Sequence, residues 1–139
     1  MVNSLDSAIK LASTGLFAQA QRIQVVSENI ANASSTGSTP GADPYQRKTI
    51  SFEADLDRLN GASAVRVGEI GADQSDFKLE YAPSHPAADA NGYVKMPNVE
   101  MTTELADMRE ASRSYQANIQ VIKQARDLVA MTINMLGAS

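Results

Sequence analysis

The sequence predicts a mainly α protein in which two long terminal helices pair as an antiparallel coiled coil, with a small β-rich or irregular module inserted between them. Three observations predict this class: a seven-residue apolar repeat near the N-terminus, a longer one near the C-terminus, and a Ser-, Thr-, Gly- and Pro-rich stretch between them. We therefore divide the 139-residue chain into an N-terminal core helix at 1–36, an inserted module at 37–97 and a C-terminal core helix at 98–139.

The N-terminal repeat predicts a helix over about residues 4–33. Its apolar positions form two interleaved rows, one starting at Leu5 and the other at Ile9, each with a seven-residue period. Together the rows step by four and three residues, which is the spacing of a helix that packs along another helix. The stretch 33–44 that follows is expected to form a loop.

The C-terminal repeat predicts a second helix over about residues 99–136. It alternates steps of three and four for nearly five heptads without a proline, and Gly137 supplies the stop. Asn98 is a candidate N-cap for this helix. The positions predicted to form the intramolecular seam are Leu5, Ile9, Leu16, Ile23, Val26, Ile30, Leu105, Met108, Tyr115, Ile119, Ile122, Val129, Ile133 and Leu136.

The middle of the chain predicts short strands, each with one buried face. The pairs Ile50/Phe52 and Val65/Val67 alternate with polar neighbours, and so do Phe77, Leu79 and Tyr81. Asn60-Gly61 favours a tight turn between the first two strands, although residues 55–59 are also compatible with a helical turn. The segment 93–96 is expected to lead into the C-terminal helix.

Large apolar residues also lie off the predicted seam, which indicates contacts with other subunits. At 1.5 Å per residue the helices are about 45 and 55 Å long, whereas a compact 139-residue domain is less than about 40 Å across. A two-helix rod buries one stripe of each helix and leaves the opposite stripe to solvent or to neighbours. The alternative is that the middle module folds back over this stripe, but the module is small and polar. The residues predicted to form an intersubunit interface are Leu11, Phe17, Val25, Val121, Leu128 and Met135.

Polar side chains on the predicted rows suggest a hypothesis about register. If Leu5 lies level with Leu136, then Arg126 falls near Gly15. The missing side chain of that glycine would leave room for the long stem of the arginine.

The composition excludes most catalytic and binding chemistry. The formal net charge of −4 provides no basic surface for nucleic acid, and the absence of cysteine excludes disulfides and thiolate metal sites. His85 lies next to a proline in an irregular run, and the spacing of Asp73, Asp76 and Asp89 matches no calcium loop. No apolar run is long enough to cross a bilayer. We therefore predict no enzyme activity, no cofactor and no metal.

Several motifs, in order along the chain, resemble those of one protein family. The segment 27–33 resembles a signature of bacterial flagellar axial proteins, which form the rod, the hook and the hook-associated structures. The segment 44–52 is similar to the strand that follows this signature in the rod subgroup. The segments 81–89, 92–99 and 111–118 closely resemble proximal rod proteins. The motif residues are Asn29, Ala31, Asn32, Tyr45, Arg47, Pro97, Asn98, Tyr115 and Asn118.

The resemblance implies a structural subunit of the flagellar basal-body rod, which assembles through its terminal helices into a tubular drive shaft that transmits torque. It implies FlgB, FlgF and FlgG-like rod proteins, a FliF inner-membrane ring, a FliE-like adaptor and the flagellar type III export apparatus as partners in a hetero- and homo-oligomeric helical assembly. It also implies a periplasmic location, export without a cleaved signal, and no binding to nucleic acid or insertion into a lipid bilayer.

A second function remains compatible with the residues alone. A monomeric coiled-coil adapter or export-associated binding protein would also carry long amphipathic helices, but it would be helical and soluble in isolation. A subunit whose apolar stripes await neighbours should instead have poorly ordered ends when dilute.

Overall fold

A computed structural model describes residues 2–57 and 62–137 of the chain. Two long helices flank four strands, in agreement with the predicted mainly α class. The elements in chain order are α1 (Val2–Ala31), β1 (Lys48–Asp57), β2 (Ala62–Ala72), β3 (Lys78–Tyr81), β4 (Tyr93–Met96) and α2 (Met101–Gly137). The described strands form two two-stranded sheets, β1 with β2 and β3 with β4. The turn predicted at Asn60-Gly61 lies outside the described residues.

The chain divides into two compact units, each assembled from separate segments. Unit 1 contains Met1–Ile23, Ser51–Glu69 and Arg109–Ser139, and unit 2 contains Gln24–Ile50 and Ile70–Met108. Both helices contribute residues to both units. The division at 1–36, 37–97 and 98–139 concerns the helices and the insert rather than these units, and it stays a prediction.

In unit 1 the two helices approach each other closely at Gly15. A Cβ atom added there would lie 2.8 Å from Nδ2 of Asn118, so the Asn118 side chain packs directly against the glycine and would have to shift to admit a larger residue. About two turns before Asn118 on α2, Glu110 forms an ion pair with Arg22 at 3.6 Å. The helices therefore run antiparallel in unit 1, with facing residue numbers that sum to about 133. The hypothesis that Arg126 lies near Gly15 is wrong, because Asn118 occupies that place and the arginine side chain is exposed.

The two helices bury small residues next to several predicted seam positions. Ala111 and Ala125 are buried although neither is a predicted seam position, whereas the predicted seam residues Leu105 and Ile119 are exposed. Small side chains permit a short distance between helix axes, and the larger residues then lie at the edges of the contact. Half-buried positions of the predicted rows are Leu5, Ile9, Leu16, Ile23, Ile30, Met108, Tyr115, Ile122 and Val129.

The strands are more exposed than the alternation predicts. Phe52, Val65, Leu79 and Tyr81 are exposed in the single chain, so the expected buried face is incomplete. The segment 93–96, expected only to lead into the C-terminal helix, forms a strand that pairs antiparallel with β3. A sheet of two strands does not bury both of its faces by itself.

A glycine turn in unit 2 carries the chain into β4. Gly92 has a φ of +85°, and a Cβ atom there would lie 2.9 Å from the ring of Tyr81. That ring packs edge-on against Tyr93, with ring centroids 5.3 Å apart. Both the backbone conformation and the space therefore favour glycine at this position.

Candidate functional site

Asn29, near the end of α1, is the centre of a buried polar cluster in unit 2. Its Oδ1 accepts hydrogen bonds from the Tyr45 hydroxyl at 2.9 Å and from the backbone N–H of Lys48 at 2.8 Å. Its Nδ2 donates to the carbonyl of Lys48 at 2.9 Å and to Oε2 of Glu104 at 3.1 Å. Two acceptor sites and two donor hydrogens are the full capacity of an asparagine side chain. The side chain thus joins the end of α1, the start of β1 and the first turn of α2.

An arginine on the approach to β1 holds the same carboxylate of α2. Nε of Arg47 donates to Oε1 of Glu104 at 2.5 Å, and the guanidinium lies 3.5 Å from Asp73 and 3.9 Å from Asp107. Glu104 has no solvent-exposed side-chain area. A fully buried carboxylate is stable only when its charge is paired and its oxygens accept hydrogen bonds, and here both oxygens do.

The ionisation of the cluster reflects these partners. Burial disfavours the charge on Arg47, but the hydrogen bond and charge of Glu104, with the charges of Asp73 and Asp107, raise the pKa of the guanidinium overall. Burial also raises the pKa of Tyr45, which keeps its hydroxyl protonated as a donor to Asn29. The cluster is therefore an ion pair held within a set of hydrogen bonds.

Asn98 connects the segment before α2 to the segment before β1. Its Oδ1 accepts the backbone N–H of Arg47 at 2.8 Å, and its Nδ2 donates to the carbonyls of Asp73 at 3.0 Å and Ser75 at 3.1 Å. Gln46 donates to the same carbonyl of Asp73 at 2.7 Å. The prediction that Asn98 caps the C-terminal helix is wrong, because its side-chain oxygen is occupied by a strand segment.

The end of α1 is closed by its own motif residues. Nδ2 of Asn32 donates to the carbonyl of Glu28 at 2.9 Å, which satisfies one of the carbonyls that a helix end leaves unpaired. The Ser35 hydroxyl donates to Oδ1 of Asn32, and the carbonyl of Ser35 accepts the N–H of Tyr45. An ion pair of 2.6 Å between Glu28 and Lys48 adds a surface contact.

Unit 1 presents the opposite kind of surface, which is apolar and open. Phe17 is 63% exposed and Met135 is 77% exposed. Leu11, Val121 and Leu128 are also exposed. Each large apolar side chain left in water forgoes about 1.5–3 kcal/mol relative to burial. This surface therefore has the character of an interface.

Comparisons with known proteins give the same family by two routes. Residues 9–39 match the family described as flagella basal body rod protein, and residues 90–135 match the C-terminal family of the flagellar basal body rod FlgEFG proteins. The flagellar basal-body rod protein FlgC of Agrobacterium fabrum is 58% identical over 138 residues, which cover 99% of each chain. The FlgC proteins of Salmonella typhimurium and Borreliella burgdorferi are 39% and 40% identical, over 95% of this chain and 98% and 97% of theirs. This chain belongs to the FlgC family of flagellar basal-body rod proteins.

Membership of the FlgC family confirms the predicted structural role. The chain is a structural subunit of the flagellar basal-body rod, and it is not an enzyme. Within the described residues, no group of His, Asp and Glu side chains could hold a metal ion. Neither described helix combines the length and the apolar character needed to cross a bilayer.

The FlgC motif residues fall into both units. Asn29, Tyr45, Arg47 and Asn98 come together in the polar cluster, and Pro97 is buried in the same unit. Asn32 closes the end of α1, next to the exposed Ala31. Asn118 and the half-buried Tyr115 belong to unit 1.

Sequence reasoning missed Glu104 as a member of the cluster. It directly precedes Leu105, the first position of the predicted row, and the structure buries Glu104 completely while it exposes Leu105. The sequence did contain a signal for this pair. Glu104 is an acidic residue in the first turn of α2, and Arg47 has a long side chain of opposite charge. Their separation of 57 residues in sequence hides the pair until the fold is known.

Proposed function

We propose that the chain assembles into the rod through its two terminal helices, which pair as an antiparallel coiled coil, and that the resulting tube transmits torque. The observation that carries this proposal is the exposed apolar surface of unit 1. Torque between subunits must pass through interfaces, and only covered side chains can carry it. The antiparallel approach at Gly15 and Asn118 supports the pairing of the helices.

The proposed intersubunit interface keeps five of the six residues expected from the sequence. They are the exposed residues Leu11, Phe17, Val121, Leu128 and Met135. Val25 differs, because it is only 4% exposed in the single chain and needs no neighbour to be buried. The heptad repeat predicted Val25 on the side of α1 opposite the seam. In the structure, Val25 lies on the buried side of that helix.

The proposed intramolecular seam combines predicted large residues with the small residues that the structure buries. Met108, Tyr115, Ile122 and Val129 stay in the proposal as half-buried positions of α2, and Val26 as a buried position of α1. Leu105, Ile119, Ile133 and Leu136 are exposed in the single chain and would flank the seam or contact neighbours.

The remaining expectations about place and partners are also part of the proposal. As a basal-body rod protein the chain assembles with other rod components. We propose that these are FlgB, FlgF and FlgG-like proteins, that FliF and a FliE-like adaptor lie at the base, and that the flagellar type III apparatus exports the chain without a cleaved signal to the periplasmic rod. We further propose the division into core helices at 1–36 and 98–139 and an insert at 37–97.

The experiment replaces Val121 and Leu128 together with serine in the chromosomal gene. Both side chains are exposed, so the substitutions should leave expression, export and the fold of the single chain intact. Swimming should be lost, and purified basal bodies should lack the chain. The control is Leu79→Ser, a leucine of unit 2 that is more exposed than either residue, and this variant should swim normally. Normal swimming of the double variant would contradict assembly through this face.

A further inference from the structure

The last ten residues of α2 form a helix end without charge. Residues 128–137 contain no Asp, Glu, Lys or Arg, and five of their large side chains are more than half exposed: Leu128, Met131, Ile133, Met135 and Leu136. We call this segment the apolar end of α2. It is bounded by Asp127 on one side and, on the other, by the C-terminal carbonyls of the helix, with no basic residue in the last turn. Both boundaries of the segment therefore carry negative charge or partial charge.

A second uncharged zone lies across the two helices of unit 1, and it is bounded by positive charges. On α1 it runs over residues 11–21, between Lys10 and Arg22. On α2 it runs over residues 114–122, between Arg113 and Lys123. Because facing residue numbers sum to about 133, Lys10 lies level with Lys123, and Arg22 lies within about two residues of the level of Arg113. We call this zone the uncharged belt.

The belt contains a groove that can receive side chains. Phe17, Ser13 and Thr14 of α1 line it together with the β2 residues Ala64, Val65, Arg66 and Val67. Its volume is about 450 Å³. The charge of Arg66 is paired with Glu53 at 3.0 Å. Methionine side chains are flexible and fill irregular apolar grooves, and a thioether gains additionally from contact with an aromatic ring.

We propose that the apolar end of α2 from one copy of the chain docks on the uncharged belt of a second copy, at the Phe17 groove. The inference rests on the proposed assembly through the terminal helices and names the segments that meet. The occupant is a second copy because the apolar end of α2 is carried by this chain and matches the belt in length, in lack of charge and in the sign of both boundaries.

A single displacement satisfies all of these matches. If the second copy is shifted along the helix axis by 14 residues, about 21 Å, residues 128–136 lie level with 114–122. Asp127 then lies level with Arg113, and the helix end at Gly137 lies level with Lys123. Arg126, the other charge at that boundary, lies level with residue 112, two residues from Glu110. Fourteen residues are two heptads, so the shift presents nearly the same helix face again.

This contact is heterologous, because a different surface of each copy takes part. A heterologous contact repeated without closure produces an open helical assembly rather than a symmetric dimer. The same chain therefore offers one donor segment and one acceptor groove, and successive copies are offset along the axis of the helices.

The test uses single-cysteine variants of the full chain, which has no cysteine of its own. Ser13→Cys and Met135→Cys are purified separately, mixed, and treated with a short bismaleimide. In the proposed contact Met135 lies about one residue from the level of Ser13 of the other copy. Within one chain the same two positions are about 22 Å apart along the axis. We expect a covalent dimer joined between positions 13 and 135 in the mixture, and only background dimer from either variant alone.

The control replaces Ser13→Cys with Ser4→Cys, which lies about 12 Å from the proposed level of Met135 and should give little adduct. Asp127→Arg should reduce the yield of the 13–135 adduct by about two- to five-fold, the range of an exposed ion pair. Adding Arg113→Asp to both chains should restore it. Dimers from single variants alone, a dominant adduct at position 4, or no adduct would each overturn the proposal.

The same cysteine variants tested in cells separate the possible occupants. An adduct of Met135→Cys with a protein of different mass would overturn a second copy as the occupant. Two results would still support the proposed function in that case. They are the presence of the unsubstituted chain in basal bodies and the loss of swimming in the Val121 and Leu128 double variant. Failure of this inference is therefore distinguishable from failure of the proposed function.

Discussion

Replacing Glu104 by glutamine tests whether the polar cluster holds unit 2 together. The carboxylate accepts one hydrogen bond on each oxygen, from Arg47 at 2.5 Å and from Asn29 at 3.1 Å. Glutamine is almost the same size but offers one oxygen and one NH2 group. In either orientation of the amide, a donor therefore meets a donor.

The expected cost follows from the burial of the site. Removing one partner of a buried ion pair costs about 3–5 kcal/mol, and an unsatisfied buried donor costs about 1–3 kcal/mol. Arg47 retains Asp73 at 3.5 Å and Asp107 at 3.9 Å, and its side chain is 21% exposed, so the loss is reduced. We expect Glu104→Gln to lower the free energy of local opening by about 2–3 kcal/mol. This corresponds to a roughly 30- to 150-fold increase in the equilibrium constant for local opening.

Amide hydrogen exchange on the full chain measures this opening. The amides of residues 25–31 and 47–50 should exchange roughly 30- to 150-fold faster in Glu104→Gln than in the unsubstituted chain. The control is Glu100→Gln, which changes the same residue type one turn earlier. Glu100 pairs with Lys78 on the surface at 2.6 Å, and such a pair contributes at most about 1 kcal/mol. Equal exchange rates in the two variants would refute a structural role for the buried carboxylate.

Three further substitutions or conditions probe unit 2. Gly92→Ala should lower the urea midpoint by the equivalent of about 1–3 kcal/mol, because its φ of +85° is strained for alanine and the Tyr81 ring lies 2.9 Å from the new Cβ. The hydrogen bond from Lys48 lowers the pKa of Glu28, so its stabilising effect is present above pH 4.5 and is lost as the pH falls through the lowered pKa. The stability advantage over Lys48→Met should shrink correspondingly in urea titrations below pH 4.5. Asn29→Asp should destabilise more at pH 7 than at pH 4, because a second carboxylate then faces the buried one of α2.

The sequence patterns predicted the helices well, because a heptad repeat depends only on spacing. They predicted the buried side of each helix only in part, since Ile122 and Val129 are half-buried but other predicted positions are exposed. Burial area favours large residues such as Leu105 and Ile119 for a seam, and the structure exposes both. The helices instead approach where a side chain is absent or small, at Gly15 and Ala111. The heptad position of a residue does not determine the distance between the axes of two packed helices.

Only part of the polar cluster could be predicted from the sequence. The motif singled out Asn29, Tyr45, Arg47 and Asn98 without showing that they touch. Asn98 was predicted to cap a helix, which is a local role. In the structure its side chain makes long-range hydrogen bonds instead. Long-range pairing depends on the path of the chain between the elements. No local preference of a residue contains that path.

The two units differ in what their stability requires, and this difference accounts for the location of each set of residues. In the cluster of unit 2, charges and amide groups are satisfied within one chain, so its geometry is established before any neighbour arrives. In unit 1, the described helix surfaces carry exposed apolar side chains, which we propose that neighbouring subunits cover. Dilution of the purified chain should therefore lower the exchange protection of residues 110–137 while leaving that of residues 25–31 unchanged. Equal concentration dependence in both segments would mean that the apolar surface is not what limits the order of unit 1.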